Sequence, residues 1–345
     1  MIQRVTIKPS DHVFEVEADE TLLEAALRQG FPLPYGCRDG ACGTCKGKVL
    51  AGTVDYGRYQ PTALPEVDRA AGFALFCQAK PLTDLVIEAR EVTAVRDIPI
   101  KTLPCRVQKM ERLAPDVMAL YLRLPTNERL QYLAGQYIEI LAGEGKRRAF
   151  SMANAPHDDE FLQLHLRHYP GGTFSHHVFT RMKERDILRF KGPFGTFFLR
   201  EDSDKPIIFL ASGTGFAPIK AILEHAFHRG VERPMSLYWG ARARPDLYLD
   251  ALPRQWAATH ASFRYVPVLS EARDEDEWSG RTGFVHRAVM DDVPDLSGYH
   301  VYACGAPVMV EAAHRDFTTH CGLPEDAFFS DAFTTASDAL KSAAV

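Results

Sequence analysis

Cys37-Arg38-Asp39-Gly40-Ala41-Cys42-Gly43-Thr44-Cys45, with Cys77 far downstream, decides how the first part of this chain is read. The spacing is C-x4-C-x2-C followed by one distant cysteine, the pattern by which four thiolates hold a [2Fe-2S] cluster. Gly36, Gly40, Gly43 and Gly47 lie in and around the loop. A loop wrapped around sulfide needs left-handed backbone and bare N–H groups near the sulfurs, and glycine supplies both. Two other uses of cysteine compete. Structural zinc draws its ligands as two close pairs, whereas Cys42 and Cys45 form the one close pair here and Cys77 has no near neighbour in sequence. A disulfide framework suits a small secreted chain, but this chain has 345 residues, seven cysteines and no apolar leader at Met1-Ile2-Gln3-Arg4. Cys37, Cys42, Cys45 and Cys77 are therefore the expected metal ligands. Cys105, Cys304 and Cys321 read as free thiols in a reducing cytoplasm.

Working outward, the length predicts two or three domains, and 46% hydrophobic residues are ample for their cores. No run approaches the roughly 18 apolar residues of a spanning helix, so no membrane partner is expected. A net charge of -5 argues against nucleic acid as a partner. The expected setting is the cytoplasm and the expected state a monomer. Before the cysteine loop, residues 2 to 8 and Val13-Phe14-Glu15-Val16 read as a strand, a turn and a strand. Asp19-Glu20-Thr21 caps a helix whose apolar face is Leu22, Leu23, Ala26 and Leu27 and which ends at Gly30. Short strands follow near Val49, Phe76 and Val86. The predicted order is a domain over 1–94, a linker over 95–102, domains over 103–200 and 201–335, and a small-residue tail over 336–345.

The second domain alternates apolar and polar residues in Val117–Leu124, Gly135–Ile140, Phe161–Arg167 and Asp186–Phe190. Such strands at short spacing predict a small antiparallel β-barrel closing near Gly192-Pro193-Phe194-Gly195. From Pro206 the pattern becomes buried strand, Gly213-Thr214-Gly215-Phe216-Ala217-Pro218 and helix, repeated with further strands at Met235, Phe263 and His300. Strands alternating with helices predict a parallel sheet of the Rossmann-like α/β kind. Gly213, Thr214 and Gly215 fall between strand and helix, and Pro218 in the helix's first turn, where free N–H groups face a dinucleotide pyrophosphate. In Pro170-Gly171-Gly172-Thr173-Phe174-Ser175, the bare N–H groups of Gly171, Gly172 and Thr173, the Ser175 hydroxyl and a helix N-terminus make an anion site. The same residues could instead be an ordinary turn and N-cap.

These motifs resemble known ones. Residues 1 to about 94 are similar to plant-type ferredoxins, whose fold is an α+β β-grasp. Arg148-Ala149-Phe150-Ser151 resembles the R-x-Y-S motif of the ferredoxin-NADP reductase superfamily. The resemblance implies that Arg148 meets the FAD pyrophosphate, Phe150 packs on the flavin and ribityl region, and the Ser151 hydroxyl lies near flavin N5. Phe150 stands where the superfamily has Tyr, so the packing surface is kept and a hydroxyl is lost. The Gly171-Gly172 segment resembles the superfamily's G-G-x-x-S, and Arg167 on the preceding strand adds a second cation for the same phosphate. Gly213 to Pro218 resembles its G-T-G-x-A-P. Cys304-Gly305-Ala306-Pro307 with Met309 resembles C-G-P-x-x-M, which implies that Cys304 and Gly305 sit beside the nicotinamide. Phe333, in Phe328-Phe329-Ser330-Asp331-Ala332-Phe333, is the candidate for a terminal aromatic near the flavin face. Ser151, Cys304 and Phe333 are thus the expected catalytic residues.

The order of ferredoxin, antiparallel FAD barrel and α/β nicotinamide domain is that of the bacterial oxygenase reductases and the CDP-6-deoxy-Δ3,4-glucoseen reductase-like proteins. The resemblance covers the chain to about residue 335. It implies a [2Fe-2S] cluster, FAD and NADH, with NADPH open because Arg242 and Arg244 stand near Asp246 at the end of the second α/β strand. It also implies an NAD(P)H-dependent oxidoreductase whose partner is an electron-accepting protein, a dehydrase or an oxygenase component. The alternative reading is an electron-transfer or redox-sensing subunit without turnover.

Overall fold

The structure, a computed structural model, describes residues 2–143 and 146–334, so the expected tail over 336–345 lies outside the described residues. The chain falls into two compact units, one of residues up to Ile98 joined by the segment from Asp331, the other of Pro99–Ser330.

In the first unit the elements follow in the order β1 (Gln3–Lys8), β2 (Val13–Val16), α1 (Leu22–Arg28), β3 (Lys46–Ala51), β4 (Val54–Asp55), α2 (Glu66–Ala70), β5 (Phe73–Leu75), β6 (Lys80–Pro81) and β7 (Leu85–Glu88). The main sheet runs β2-β1-β7-β3-β5. β1 pairs antiparallel with β2 but parallel with β7, with Val5 opposite Leu85. This is the mixed sheet of a β-grasp. α1 starts where Thr21 accepts from the Glu24 backbone and Glu24 returns a bond to the Thr21 backbone, a complete capping box. It buries Leu22, Leu23, Ala25 and Ala26. Full burial of each leucine is worth about 2 kcal/mol. The short pair β4–β6 and helix α2 have no periodic sequence signal.

The second unit begins with β8 (Lys101–Ala114), β9 (Val117–Arg123), β10 (Tyr137–Leu141), β11 (Arg147–Ser151), β12 (Leu162–Arg167), α3 (Thr173–Thr180) and β13 (Ile187–Phe194). The sheet order is β11-β10-β13-β8-β9-β12, and a bridge between Met152 and Leu164 joins its two ends into a closed barrel. Closure removes both sheet edges. Leu162, Leu164 and Leu166 of β12 lie in the barrel core with Ile138, Ile140 and Phe190.

The rest comprises β14 (Ile207–Ser212), α4 (Phe216–His228), β15 (Met235–Ala241), α5 (Ala251–Thr259), β16 (Phe263–Leu269), β17 (Arg281–Thr282), α6 (Val285–Asp292), β18 (His300–Gly305), α7 (Pro307–His320) and β19 (Phe328–Ala332). The sheet order is β17-β16-β15-β14-β18-β19, with β14 parallel to both β15 and β18. The chain winds outward from β14 on one side and returns to its other side at β18. The crevice at the carboxyl ends of β14 and β18 is the switch point where open α/β sheets take ligands.

Candidate functional site

Strand pairing assembles the thiols. Lys46 is opposite Leu75, and Phe76 N donates to Cys45 O at 3.0 Å, which sets Cys77 beside Cys45. At the other end of the loop Cys37 N donates to Cys42 Sγ at 3.4 Å and Asp39 N to Cys37 Sγ at 3.4 Å. Within each pair the thiols are hydrogen-bonded to one another. A hydrogen bond from Cys37 pulls Cys42 below the usual thiol range, and one from Cys45 does the same for Cys77; their neighbours are pushed well up by those bonds and by burial. Among the described residues no three His, Cys, Asp or Glu side chains gather as a site for one metal ion. Two thiol pairs are what two irons ask of four cysteines. Backbone donors to sulfur and Gln78 Nε2, 3.9 Å from Cys77 Sγ, suit the negative charge of such a group.

The loop glycines divide. Gly40 and Gly43 are left-handed (φ +71° and +76°), as expected. Gly36 and Gly47 are not: a Cβ at Gly36 would press on Cys42 Sγ at 3.3 Å, and one at Gly47 would collide with the Phe76 ring. Close packing, not backbone hand, excludes a side chain at these two positions.

In the barrel, Arg148 and Ser151 lie on β11, with Arg148 opposite Ile140 and the buried Ser151 opposite Tyr137. Arg148 Nη1 donates to Arg147 O at 2.8 Å. Phe150, half-buried, meets Phe174 of α3 with ring centroids 5.5 Å apart, so the two barrel motifs come together through their aromatics. Gly172 is the N-cap of α3, whose first turn has no side-chain cap. A Cβ at Gly171 would meet nothing within 4 Å, which leaves approach to this turn open. Ser175 Oγ accepts from Tyr169 N at 3.2 Å and donates to Gly172 O at 3.1 Å, so it closes the turn. Arg167 pairs with Asp116 at 3.1 Å, while its Nη2 is buried with no hydrogen-bond partner among the described residues. A buried donor left unmatched costs about 1–3 kcal/mol, and it fits an anionic group such as a pyrophosphate.

At the switch point Gly213–Gly215 forms a 3-10 turn ahead of α4, whose N-cap, Gly215, again offers no side-chain cap. Pro218 and Thr214 are buried. Gly215 packs so close to β18 that a Cβ would collide with Cys304 O. Ala306 N donates to Ser212 Oγ at 2.9 Å, tying the strand ends together. Cys304 is fully buried, with Gly305 after it at φ +137°. Gly213, Thr214, Gly215, Cys304 and Gly305 therefore come together at the carboxyl ends of β14 and β18. Arg242 and Arg244 both have partners: Arg242 Nε donates to the Asp246 carboxylate at 3.2 Å, while Arg244 donates through its backbone N to Asp276 Oδ1 at 3.1 Å and through Nη1 to the Asp276 backbone carbonyl at 3.2 Å.

Phe333 is half-buried in the segment that groups with the first unit. Of its neighbours, Phe329 stacks on Tyr302 at 4.8 Å and Phe328 packs on His314. Sequence reasoning did not find Trp239, which stacks on Phe216 at 4.1 Å and donates from Nε1 to Gly213 O at 3.2 Å. It also missed His165 and Lys220, buried polar residues between the barrel and the α/β half. A lone Trp at the middle of an apolar strand reads as core, and it carries no sign of a loop contact.

A thiol-lined β-grasp, a closed barrel and a switch-point α/β sheet define an iron–sulfur flavoprotein oxidoreductase. Three family matches agree: the 2Fe-2S iron-sulfur cluster binding domain over residues 5–82, the oxidoreductase FAD-binding domain over 104–199 and the oxidoreductase NAD-binding domain over 209–315. The CDP-6-deoxy-L-threo-D-glycero-4-hexulose-3-dehydrase reductase of Yersinia pestis is 42% identical over 96% of this chain and 99% of its own length. The phenol 2-monooxygenase reductase component DmpP of Pseudomonas sp. (strain CF600) is 37% identical over 99% and 98%. Among solved structures, the Amycolatopsis cytochrome P450 reductase GcoB superposes with a TM-score of 0.77 at 35% identity, over 97% of this chain and 99% of that one. The chain belongs to the family of NAD(P)H-dependent iron–sulfur flavoprotein reductases, with a [2Fe-2S] ferredoxin domain fused to FAD- and NAD-binding domains. It is an oxidoreductase that carries electrons from a nicotinamide nucleotide through FAD to the cluster. No helix of the described residues is long and apolar enough to cross a membrane.

Proposed function

We propose that this reductase takes its electrons from NADH and delivers them to a dehydrase acting on a nucleotide-linked deoxyhexulose. The observation that carries the partner is the 42% identity to a dehydrase reductase over nearly the full length of both chains, against 37% for the phenol monooxygenase component. NADH is favoured because the Asp246 carboxylate holds Arg242, while the Arg244 guanidinium is engaged by the Asp276 backbone carbonyl. A 2′-phosphate would have to displace Asp246 from Arg242 and approach a carboxylate that repels it.

Cys37, Cys42, Cys45 and Cys77 would hold the cluster. Arg148, Phe150, Ser151, Arg167 and the Gly171–Ser175 turn would hold FAD, with Phe333 as the terminal aromatic near its flavin. Gly213, Thr214, Gly215, Pro218, Arg242, Cys304 and Gly305 would hold the nucleotide, with Cys304 closest to the nicotinamide. When bound, FAD takes up an electron pair as hydride and gives it out singly, and the cluster carries one electron at a time. The chain's own part is orientation: uncapped N–H groups at α3 and α4 meet phosphates, and Gly215 lets the backbone of β18 close on the turn.

Reconstitution tests the partner. The holoenzyme is mixed with NADH and either a CDP-hexulose dehydrase with its sugar nucleotide or the oxygenase component of a phenol hydroxylase with phenol. Product from the first mixture is expected. Turnover with the second alone assigns the chain to an oxygenase, the reading that the likeness to GcoB and DmpP favours.

A further inference from the structure

Alternate residues of β12 face opposite ways, and Gln163, His165 and Arg167 lie on the face away from the barrel core. That face meets the α/β half of the same unit. Lys220 of α4 donates to Gln163 Oε1 at 3.3 Å and to Ala153 O at 2.9 Å. His165 Nδ1 and Tyr248 OH are 3.0 Å apart, both residues buried. Arg167 reaches Gly213, where a Cβ would come within 3.1 Å of Nη1. Tyr248 also stands edge-on to Trp239, with ring centroids 5.2 Å apart at 86°, and Trp239 is the residue that donates to Gly213 O. The turn therefore lies against Arg167 and is joined to the same barrel strand through His165, Tyr248 and Trp239.

Burial, then the Lys220 charge, pulls His165 down to about 3, and burial pushes the Tyr248 phenol up. Both are neutral at physiological pH, so a neutral hydrogen bond joins the phenol and Nδ1. The other ring nitrogen, Nε2, has no partner among the described residues. A neutral bond between two rigid rings, sealed from water, holds one geometry without the entropy cost of a long ion pair.

We propose that His165 and Tyr248 are positioning residues for hydride transfer, their bond holding the Gly213–Gly215 turn, through Trp239, at one distance from the flavin barrel. The proposal rests on the reading of Gly213–Pro218 as the nucleotide loop. In the step concerned, a hydride leaves the dihydronicotinamide with both bonding electrons, NADH becomes NAD+, and FAD is reduced by two electrons. Such a transfer is steep in distance: a misplacement of about 1 Å costs roughly a hundredfold in rate.

The test uses the full, FAD-loaded protein and Tyr248→Phe, which keeps the ring against Trp239 and removes one oxygen. Stopped-flow reduction by NADH should show the limiting rate reduced about tenfold or more, with the nucleotide Kd within about twofold of wild type. Hydrogen exchange in the peptide carrying Gly213–Gly215, measured without nucleotide, should quicken. Trp239→Phe keeps the stack on Phe216, loses the bond to Gly213 O, and should give the same pattern, so it serves if Tyr248→Phe does not hold FAD. Wild-type limiting rate and wild-type exchange in either variant overturn the proposal. So does a weakened Kd with an unchanged limiting rate, which assigns the pair to binding. Failure of NADH to reduce FAD in the wild-type protein would instead strike at the nucleotide reading itself.

Discussion

Nucleotide choice is expected to turn on Asp246. Its carboxylate holds Arg242 at 3.2 Å in an exposed i,i+4 pair, and such surface pairs are worth about 0.2–1 kcal/mol. So small an energy lets Arg242 reorient when the carboxylate is removed. Asp246→Ala is expected to raise kcat/KM for NADPH relative to NADH by about tenfold, the effect of one new charge-assisted phosphate contact of about 1.4 kcal/mol. Parallel initial-rate measurements with the two nucleotides decide it, and an unchanged ratio removes Arg242 from the ribose end of the site. The same residue scale explains what was legible beforehand. Cys37, Cys42, Cys45 and Cys77 stood out because metal chemistry restricts both residue type and spacing. His165 did not, because a histidine in an alternating strand looks the same whether it faces water or another layer.

Among the elements, β12 is the one whose function its pattern conceals. Its alternation predicts a strand with one wet face, but that face is covered and carries a histidine whose folded pKa of about 3 lies below the ordinary 6.5. Between those values the unfolded chain binds the extra proton, so stability rises with pH. The contribution is fully present above the unfolded value and is lost as pH falls below about 6.5, with a limiting slope of about 1.4 kcal/mol per pH unit. From pH 7 to pH 5 the wild-type protein should lose about 2 kcal/mol more than His165→Gln, since titrations common to both cancel. Denaturant unfolding of both proteins at the two pH values measures the difference. Equal losses would mean that His165 is protonated in place. The neighbouring Glu224, raised chiefly by burial and bonded to Lys220, belongs to the same covered layer.

For the whole molecule, the division of labour between modules predicts which steps survive loss of the cluster. Cys45 lies in the first unit, whereas the barrel and α/β motifs lie in the second. Cys45→Ser should lose the cluster's visible absorbance and keep FAD. Ferricyanide, which draws electrons from reduced flavin, should still be reduced at close to the wild-type rate. Cytochrome c, a protein acceptor served through the cluster, should lose most of its rate. Full rates with both acceptors in protein shown to lack iron would mean that electrons leave from the flavin.

The order of modules and the chemistry of each could be read from residues alone. Thiolate spacing, glycine-rich turns ahead of helices and the change from alternating to strand–helix periodicity are local constraints, imposed by metal geometry, backbone sterics and hydrogen-bond period. Layer packing set which loop the covered face of β12 meets, that Trp239 supports Gly213, and that Arg242 is held by the Asp246 carboxylate and Arg244 by the Asp276 backbone carbonyl. Each of these joins residues that are distant in sequence or lie in irregular loops. Their partners are chosen by packing between layers, a non-directional force that leaves no periodic mark in the chain.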